Sequence, residues 1–363
     1  MAFFLTVYLF KRLGFSVRTI FRADFTMVEV KKALTFGGKW TTWSVWVPIV
    51  WFFQMFLLSI WLLNYSAWMG YWGLAWGFIQ IVSIVSLFTQ ELISGISESY
   101  SNLKYKLTDY YVSQGLKWAN FFGFWLVSAL YAAGARFILG AAGPTWAPAI
   151  ILIPPLLLFQ LIGPYSWLGD QIFAGVGRTG TAAAVWILEQ GLRALFLVLL
   201  IPPFGMLGVV YAYIPALAAK DITAWYLIRK YISKPKPYWW HTFIGLGIAA
   251  LINYGALELF ARLTWANDIA TSLLLLFMAT FVSLFFFGFF TGLTGSWDDN
   301  TLEELRVSIR LVKGVGIFAK SLYKAIELGC RISPLHNKFP VDLYSAAMEE
   351  ARELTLEKKK LVI

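Results

Sequence analysis

The sequence is poor in charge, in cysteine and in histidine, and each shortage excludes a class of protein or site. Only 14% of its 363 residues are charged, whereas a soluble domain carries about 25%. The one cysteine, Cys330, excludes an internal disulfide framework. The two histidines, His241 and His336, lie far apart and leave a His/Cys metal site without ligands. We therefore expect neither a metal nor a cofactor.

Apolar residues are abundant instead. Hydrophobic residues make up 59% of the chain and aromatic residues 18%. A water-soluble domain of this length could not bury so much apolar surface, because the buried fraction grows only slowly with size. The composition excludes a soluble enzyme, a disordered protein and a nucleic-acid-binding domain. It predicts an all-α polytopic membrane protein.

The long apolar runs predict eight transmembrane helices. They fall at about 43–64, 67–94, 118–140, 147–168, 182–203, 206–228, 241–261 and 269–291. Nearly all of the 30 Lys and Arg residues then fall on one side, and Lys220 is counted there as part of the region between the sixth and seventh spans. This asymmetry predicts that both termini are cytoplasmic.

Three segments follow from this pattern. Residues 1–42 form a basic cytoplasmic segment with an amphipathic lead-in helix, and the apolar run before Lys11 and Arg12 looks like the end of an upstream span. Residues 43–295 form the transmembrane domain. Residues 296–363 form a cytoplasmic helical tail, whose first helix Asp298 and Asp299 are placed to cap.

Polar side chains inside predicted spans are the candidate functional residues, because such groups are costly in a membrane. Glu189 and Arg193 lie four residues apart on one face of the fifth span, near mid-membrane, where Arg193 suits a phosphate. Gln54, Gln80 and Gln160 fall near the same depth in three other spans. Together they indicate a partly polar cavity. The alternatives are a neutralised ion pair and ordinary hydrogen bonds between helices.

Glycine and proline mark packing and turns. Gly73–Gly77 and Gly288–Gly292 match G-x-x-x-G, which is typical of close helix packing. The run GDQIFAGVGRTG at 169–180 predicts a tight connection between two helices. Pro164 predicts a kink in the fourth span. Tryptophans such as Trp68, Trp72 and Trp76 suit interfacial belts and packing.

Motifs of catalysis are missing from the sequence. It has no paired intramembrane Asp, no H-E-x-x-H, no nucleophile elbow and no P-loop. We therefore expect that the chain is not an enzyme and does not hydrolyse ATP.

Two stretches, 96–122 and 168–232, resemble the oligosaccharide and polysaccharide branch of the multidrug/oligosaccharidyl-lipid/polysaccharide (MOP) flippase superfamily. The second stretch joins the Gly-rich cytoplasmic turn to a helix and then to an outer turn. That outer turn contains Pro203, Phe204, Gly205 and Gly208. Residues 29–40 resemble the amphipathic lead-in to the second half of family members.

This resemblance implies one lobe of a two-lobe fold, similar to spans 7–14 of a 14-span member. It implies transport of lipid-linked oligosaccharides or polysaccharide precursors by alternating access, in the plasma membrane of a prokaryote. Arg193 is our candidate for the phosphates of the substrate. Because the other lobe does not occur in these residues, a second lobe or a homodimer would complete the cavity. Membrane lipids are expected partners, and nucleic acid is not.

Three other functions stay open at the level of sequence. A cation-coupled multidrug antiporter of the same superfamily needs an intramembrane carboxylate, and Glu189 is compromised for that role by neighbouring Arg193. A membrane-embedded glycosyltransferase needs paired acids in a large outer loop, and the predicted outer loops are short. A non-transporting scaffold subunit predicts that Arg193→Ala has no effect.

Overall fold

The structure is a computed structural model that describes residues 26–90, 92–311 and 316–362. Every regular element in those ranges is helical and no strand occurs there, which confirms the all-α prediction. Residues 1–25 lie outside the described ranges. The predictions for Lys11, Arg12 and the end of an upstream span fall there.

Fifteen α-helices occur in the described ranges. They are α1 (Met27–Trp40), α2 (Thr42–Trp61), α3 (Tyr65–Ile79), α4 (Val85–Gln90), α5 (Leu92–Ser101), α6 (Tyr105–Phe137), α7 (Ile153–Gly175), α8 (Thr179–Phe204), α9 (Met206–Tyr231), α10 (Gly245–Thr264), α11 (Ile269–Phe277), α12 (Ser283–Leu293), α13 (Asp299–Leu311), α14 (Gly316–Ile332) and α15 (Leu343–Val362). Shorter non-α turns join several of them. They are the 3₁₀ segments Gln80–Ile84 and Pro144–Leu152 and the π segments Ile138–Ala142, Trp240–Ile244 and Met278–Val282.

Within the described residues, six continuous helical stretches are long and apolar enough to cross a membrane, which confirms a multi-span helical architecture. They are Met27–Trp61, Tyr105–Ala142, Pro144–Gly175, Thr179–Phe204, Trp240–Thr264 and Ile269–Leu293. They coincide with six of the eight predicted spans.

The other two predicted spans are helical but less regular in composition or geometry. The span predicted at 67–94 is interrupted, because α3 tightens into the 3₁₀ segment Gln80–Ile84 before α4 begins. The span predicted at 206–228 coincides with α9, whose apolar run contains Lys220 and Asp221. The count of eight spans and the cytoplasmic position of both termini stay predictions.

Two glycines with positive φ make the turns on either side of α8. Gly177, with φ +74°, joins α7 to α8, as the Gly-rich run predicts. Gly205, with φ +56°, joins α8 to α9. A Cβ on Gly208 would lie 2.1 Å from the carbonyl oxygen of Leu200, so only a glycine at this position allows α8 and α9 to approach so closely. These two turns set α7, α8 and α9 side by side.

The long helix α6 is the centre of the bundle. It packs against α7, α10, α11 and α15. Its aromatic side chains enter the largest apolar cluster, where Phe121 meets Phe287 of α12 with ring centroids 5.1 Å apart. At its far end, Arg136 makes two hydrogen bonds of 2.7 and 2.8 Å to Glu258 of α10. The helix therefore ties the last spans to the middle of the chain.

The two G-x-x-x-G motifs have opposite outcomes. Gly292 faces α14 so closely that a Cβ there would lie 2.3 Å from the carbonyl oxygen of Ile326. A Cβ on Gly288 would lie 2.7 Å from Leu322. No atom of the described residues lies within 4 Å of a Cβ built on Gly73 or Gly77. Close packing is therefore confirmed at Gly288–Gly292 and wrong at Gly73–Gly77.

The tail consists of α13, α14 and α15 packed on the bundle. Asp298 caps α13 as predicted, since its carboxylate accepts the backbone N–H of Thr301 at 3.0 Å. Glu350 of α15 accepts the backbone N–H of Leu107 at 2.7 Å, in the first turn of α6. Lys104 adds an ion pair of 2.7 Å to Glu353. The tail is thus anchored at its start and along α15.

Candidate functional site

A cavity of about 650 Å³ lies among α2, α3, α4, α7, α8 and α9, with the end of α1 beside it. Its wall includes four of the five residues singled out in the sequence: Gln80, Gln160, Glu189 and Arg193. Gln80 lies at the start of the 3₁₀ segment that interrupts the predicted second span. Polar side chains from different helices therefore meet at one place, as their similar depths predict.

Gln54 does not line the cavity but lies behind residues that do. Its side-chain oxygen accepts a hydrogen bond from the hydroxyl of Tyr213 on α9, and Tyr213 itself lines the cavity. The guanidinium of Arg193 lies over the Tyr213 ring, 4.1 Å from the centroid. Gln54 thus fixes the aromatic ring on which Arg193 rests.

Four charged residues, three of them buried and Arg193 half-buried, form a network along the wall. Glu189 makes an ion pair with Arg193 one helical turn away. Lys220 of α9 lies 3.4 Å from Glu189 and 2.8 Å from Asp170 of α7. Exposed fractions of the four side chains are between 4% and 12%. Because ions are costly to bury, each is retained by an opposite charge, from the same helix for Arg193 and from a neighbouring helix for Asp170 and Lys220.

Two of these four residues are missed by sequence reasoning. Lys220 is counted as a residue on the side of the basic loops, but it is buried in α9. Asp170 is assigned to the flank of the cytoplasmic turn, but its carboxylate points to Lys220. The signal that could have found them is the Lys220-Asp221 pair inside an otherwise apolar run. Spacing along the chain gives no hint of their partners.

Aromatic side chains form much of the remaining wall. Trp72 and Trp76 stack, with centroids 5.4 Å apart and planes at 14°. Trp40 at the end of α1 meets Trp186 of α8 with centroids 5.1 Å apart. All four line the cavity. The interpretation of Trp72 and Trp76 as belt and packing residues is therefore incomplete, since α3 presents both rings to an internal space.

Several buried polar atoms around the cavity have no hydrogen-bond partner among the described residues. They are Nε of Arg193, Oδ1 of Asp170, Oε1 of Gln171, Oε1 of Gln190 and Nε2 of Gln54. Such atoms cost about 1–3 kcal/mol each when they stay unpaired. Both donors and acceptors occur among them, and the side chains of Arg193, Asp170, Gln171 and Gln190 belong to the lining of the cavity.

Asp221 is the fifth charge of this region. It follows Lys220 in α9 and is 7% exposed, and neither of its carboxylate oxygens has a hydrogen-bond partner among the described residues. It is not part of the cavity wall. Sequence reasoning gives it no role, although it is a carboxylate inside a predicted span.

A metal site finds no support in the described ranges. No group of three or more His, Cys, Asp or Glu residues there is placed to hold a metal ion. The thiol of Cys330 is free and buried between α14 and the bundle.

Comparisons with known proteins give weak similarities to solved transporters. No family model matches the chain, and no curated protein matches it. A MOP superfamily transporter from Pyrococcus furiosus matches with a TM-score of 0.49 and 15% identity, over 83% of this chain and 70% of that one. A multidrug resistance MATE family transporter of the MOP superfamily, in an outward-facing conformation, matches with a TM-score of 0.49 and 14% identity over the same shares.

Proposed function

We propose that the chain is a membrane transporter that moves lipid-linked oligosaccharides or polysaccharide precursors across a membrane by alternating access. The observation that carries this proposal is the cavity, which combines stacked tryptophans, amides and a half-buried Arg193 whose Nε has no partner among the described residues. These groups match the three parts of a sugar-phosphate headgroup: the C–H faces of the sugar, its hydroxyl groups and its phosphate.

The sugar would lie against the tryptophans. A pyranose ring has an apolar C–H face that can stack on indole, and Trp72, Trp76 and Trp186 line the cavity. The hydroxyl rim would find Gln80 and Gln160, whose amides can both donate and accept hydrogen bonds. A cavity of about 650 Å³ is within the range of ligand sites in proteins.

The phosphate would bind Arg193. One of its terminal nitrogens is held by Glu189, while Nε has no partner among the described residues. The planar guanidinium is suited to phosphate oxygens. Lys220 shares Glu189 with Arg193, so this carboxylate keeps a cationic partner when Arg193 turns toward a ligand.

A second lobe would face this cavity in the complete transporter, supplied by another segment, another chain or a second copy. The plasma membrane of a prokaryote is the proposed location. Neither ATP nor a cofactor takes part in the proposed cycle, so a gradient of ions or of the substrate would drive it.

The experiment is a translocation assay in proteoliposomes, with a fluorescent polyprenyl-diphosphate oligosaccharide as substrate. We expect Arg193→Ala to lower the initial rate at least tenfold, because it removes the phosphate ligand. Arg262→Ala is the matched control, since Arg262 is 72% exposed at the end of α10 and lies outside the cavity. A rate for the unchanged protein no higher than that of protein-free liposomes would overturn the proposal and favour a scaffold. Equal rates above that background for Arg193→Ala and the unchanged protein would overturn the role of Arg193.

A cation-coupled multidrug antiporter is the second candidate, and Asp221 is the observation that favours it. A buried carboxylate whose oxygens have no partner among the described residues suits a site for a proton or Na⁺. This function predicts efflux of a fluorescent organic cation under a proton or Na⁺ gradient, and its loss in Asp221→Asn. Absence of cation efflux under both gradients would contradict it.

A further inference from the structure

The exposed face of α14 has an apolar half and a basic half, which lie side by side along the helix. The exposed apolar side chains are Ile317, Phe318, Leu328 and Ile332, of which Ile317 is 86% exposed. Lys320 and Lys324 are exposed on the adjacent half. The opposite face is buried against α12 through Leu322 and Ile326. Apolar and basic side chains next to each other on an exposed helix face are typical of helices that contact both the acyl chains and the headgroups of a membrane.

The contacts between α12 and α14 fix the direction of α14. Phe285 of α12 meets Phe318, with ring centroids 5.0 Å apart. Near the other end, the Ser333 hydroxyl donates to the carbonyl oxygen of Leu293 at 2.6 Å. Residue numbers rise together along both helices, so α14 runs parallel to α12. Helix α13 must therefore travel back along the membrane normal before α14 starts.

The same register places the start of α14 at membrane depth. The last spanning stretch, Ile269–Leu293, has 25 residues and is about 37 Å long, which exceeds the hydrocarbon thickness of about 30 Å. Phe285 lies about 24 Å from the start of that stretch. Phe318, which contacts Phe285, therefore lies inside the hydrocarbon core, about one to two helical turns from its edge.

The two lysines lie closer to the headgroups than Phe318 does. Lys320 and Lys324 lie one and two turns beyond Ile317 toward the end of α12, and no ion pair to either occurs among the described residues. Arg331, further along, is already paired with Glu327 at 2.9 Å. Long lysine side chains beside an apolar stripe extend toward headgroup phosphates.

We infer that the start of α14 is inserted into the leaflet in which α12 ends, where Lys320 and Lys324 bind the phosphates of anionic phospholipids. The charge of the two lysines and the depth of their neighbours select this partner over a soluble protein. Helix α13 packs beside α14 and buries Leu305 and Ile309 against the bundle. The inference does not depend on the substrate proposed for the cavity.

Depth is tested first, on the full chain reconstituted in lipid. A nitroxide is attached to Ile317→Cys, and its relaxation is compared with oxygen, which concentrates in the bilayer, and with a water-soluble nickel chelate. We expect oxygen to dominate at 317 and nickel to dominate at the control Lys338→Cys in the loop after α14. The unchanged protein gives the labelling blank, because Cys330 is 3% exposed. Dominance of nickel at 317 would overturn the insertion.

Headgroup contact is tested by the preference of the protein for spin-labelled phosphatidylglycerol over phosphatidylcholine. The double change Lys320→Gln with Lys324→Gln should lower that preference, by about fivefold for each lysine. The control is Lys234→Gln with Lys338→Gln, which removes the same charge from exposed loop positions. An unchanged preference in the α14 variant, or an equal loss in the control, would overturn the lipid site. Because the altered side chains are exposed, thermal unfolding of both variants should match the unchanged protein.

Discussion

The ammonium group of Lys220 donates a hydrogen bond of 2.8 Å to the carboxylate of Asp170, a residue 50 positions earlier in the chain. Both side chains are buried, and Lys220 is also 3.4 Å from Glu189. One lysine therefore connects α7, α8 and α9 at the wall of the cavity. Lys220 therefore supplies an opposite charge to two carboxylates of the site, Asp170 and Glu189.

Lys220→Met should destabilise the protein by about 3–5 kcal/mol, because it leaves Asp170 and Glu189 with fewer opposite charges in a buried position. Denaturant unfolding in detergent, followed by circular dichroism, measures the change. Lys236→Met is the matched control. Its partner Asp342 is 61% exposed, so loss of that pair should cost less than about 1 kcal/mol. Similar losses in both variants would contradict the network.

Tyr213 should separate the support of Arg193 from the hydrogen bond to Gln54. Tyr213→Phe keeps the ring under the guanidinium and removes the hydroxyl that Gln54 accepts from. Tyr213→Leu removes both. We expect the translocation rate to fall about threefold or less in the Phe variant, and by tenfold or more in the Leu variant, since the cation–π contact and ring position are lost. Equal rates in the two variants would show that the ring has no part in orienting Arg193.

Gly329→Ala should loosen α14 from the bundle. The added Cβ would lie 2.1 Å from the carbonyl oxygen of Phe289, a backbone atom that has little room to move. Overpacking of this kind costs about 1–3 kcal/mol, and limited proteolysis of the tail should accelerate accordingly. Gly316→Ala in the same helix is the control, because no described atom lies within 4 Å of its Cβ. Tail cleavage at the original rate in Gly329→Ala would argue against the close crossing.

Acidification should destabilise the start of α13, because it protonates the capping carboxylate of Asp298. Burial opposes ionisation of this carboxyl, but hydrogen bonds from Thr301 and from the backbone N–H of Val341 outweigh it and hold its pKa below the ordinary value of 3.8. A lowered pKa contributes stability above the unfolded pKa, and this contribution is lost as the pH falls through the folded pKa. Amide-exchange protection factors of α13 should therefore fall on acidification below pH 4.

Asp298→Asn is the comparison for this experiment. Asparagine still caps a helix but does not titrate, so the protection factors of α13 in this variant should stay flat over the same pH window. A parallel acid transition in the variant would assign the effect to another group.

The sequence is sufficient to predict features that depend on neighbours within one helix or one turn. The spacing of Glu189 and Arg193 predicts their pairing, and the Gly-rich run predicts the turn at Gly177. Lys220 and Asp170 escape prediction because they meet through tertiary packing of α7 on α9, for which spacing along the chain carries no information. The interruption at Gln80 escapes it too, since the 3₁₀ segment Gln80–Ile84 itself contains neither proline nor glycine.

The same distinction explains the tail. The cap at Asp298 can be predicted from the sequence, because the carboxylate and the N–H group of Thr301 that it binds lie within four residues of the chain. The parallel pairing of α12 with α14 depends on Gly292 and Gly329 meeting across the crossing, and a G-x-x-x-G motif alone does not name its partner. Gly73 and Gly77 carry the same motif and meet nothing within 4 Å among the described residues.

The four-membered network of Asp170, Glu189, Arg193 and Lys220 also has an electrical consequence. With all four groups ionised, its two cations and two carboxylates cancel. A membrane potential does work of about 2.3 kcal/mol per elementary charge per 100 mV. Movement of the network as a unit along the membrane normal therefore transfers no net charge. Voltage would act on the rearrangement only through groups outside the network, such as Asp221, and through the charge of whatever the cavity holds.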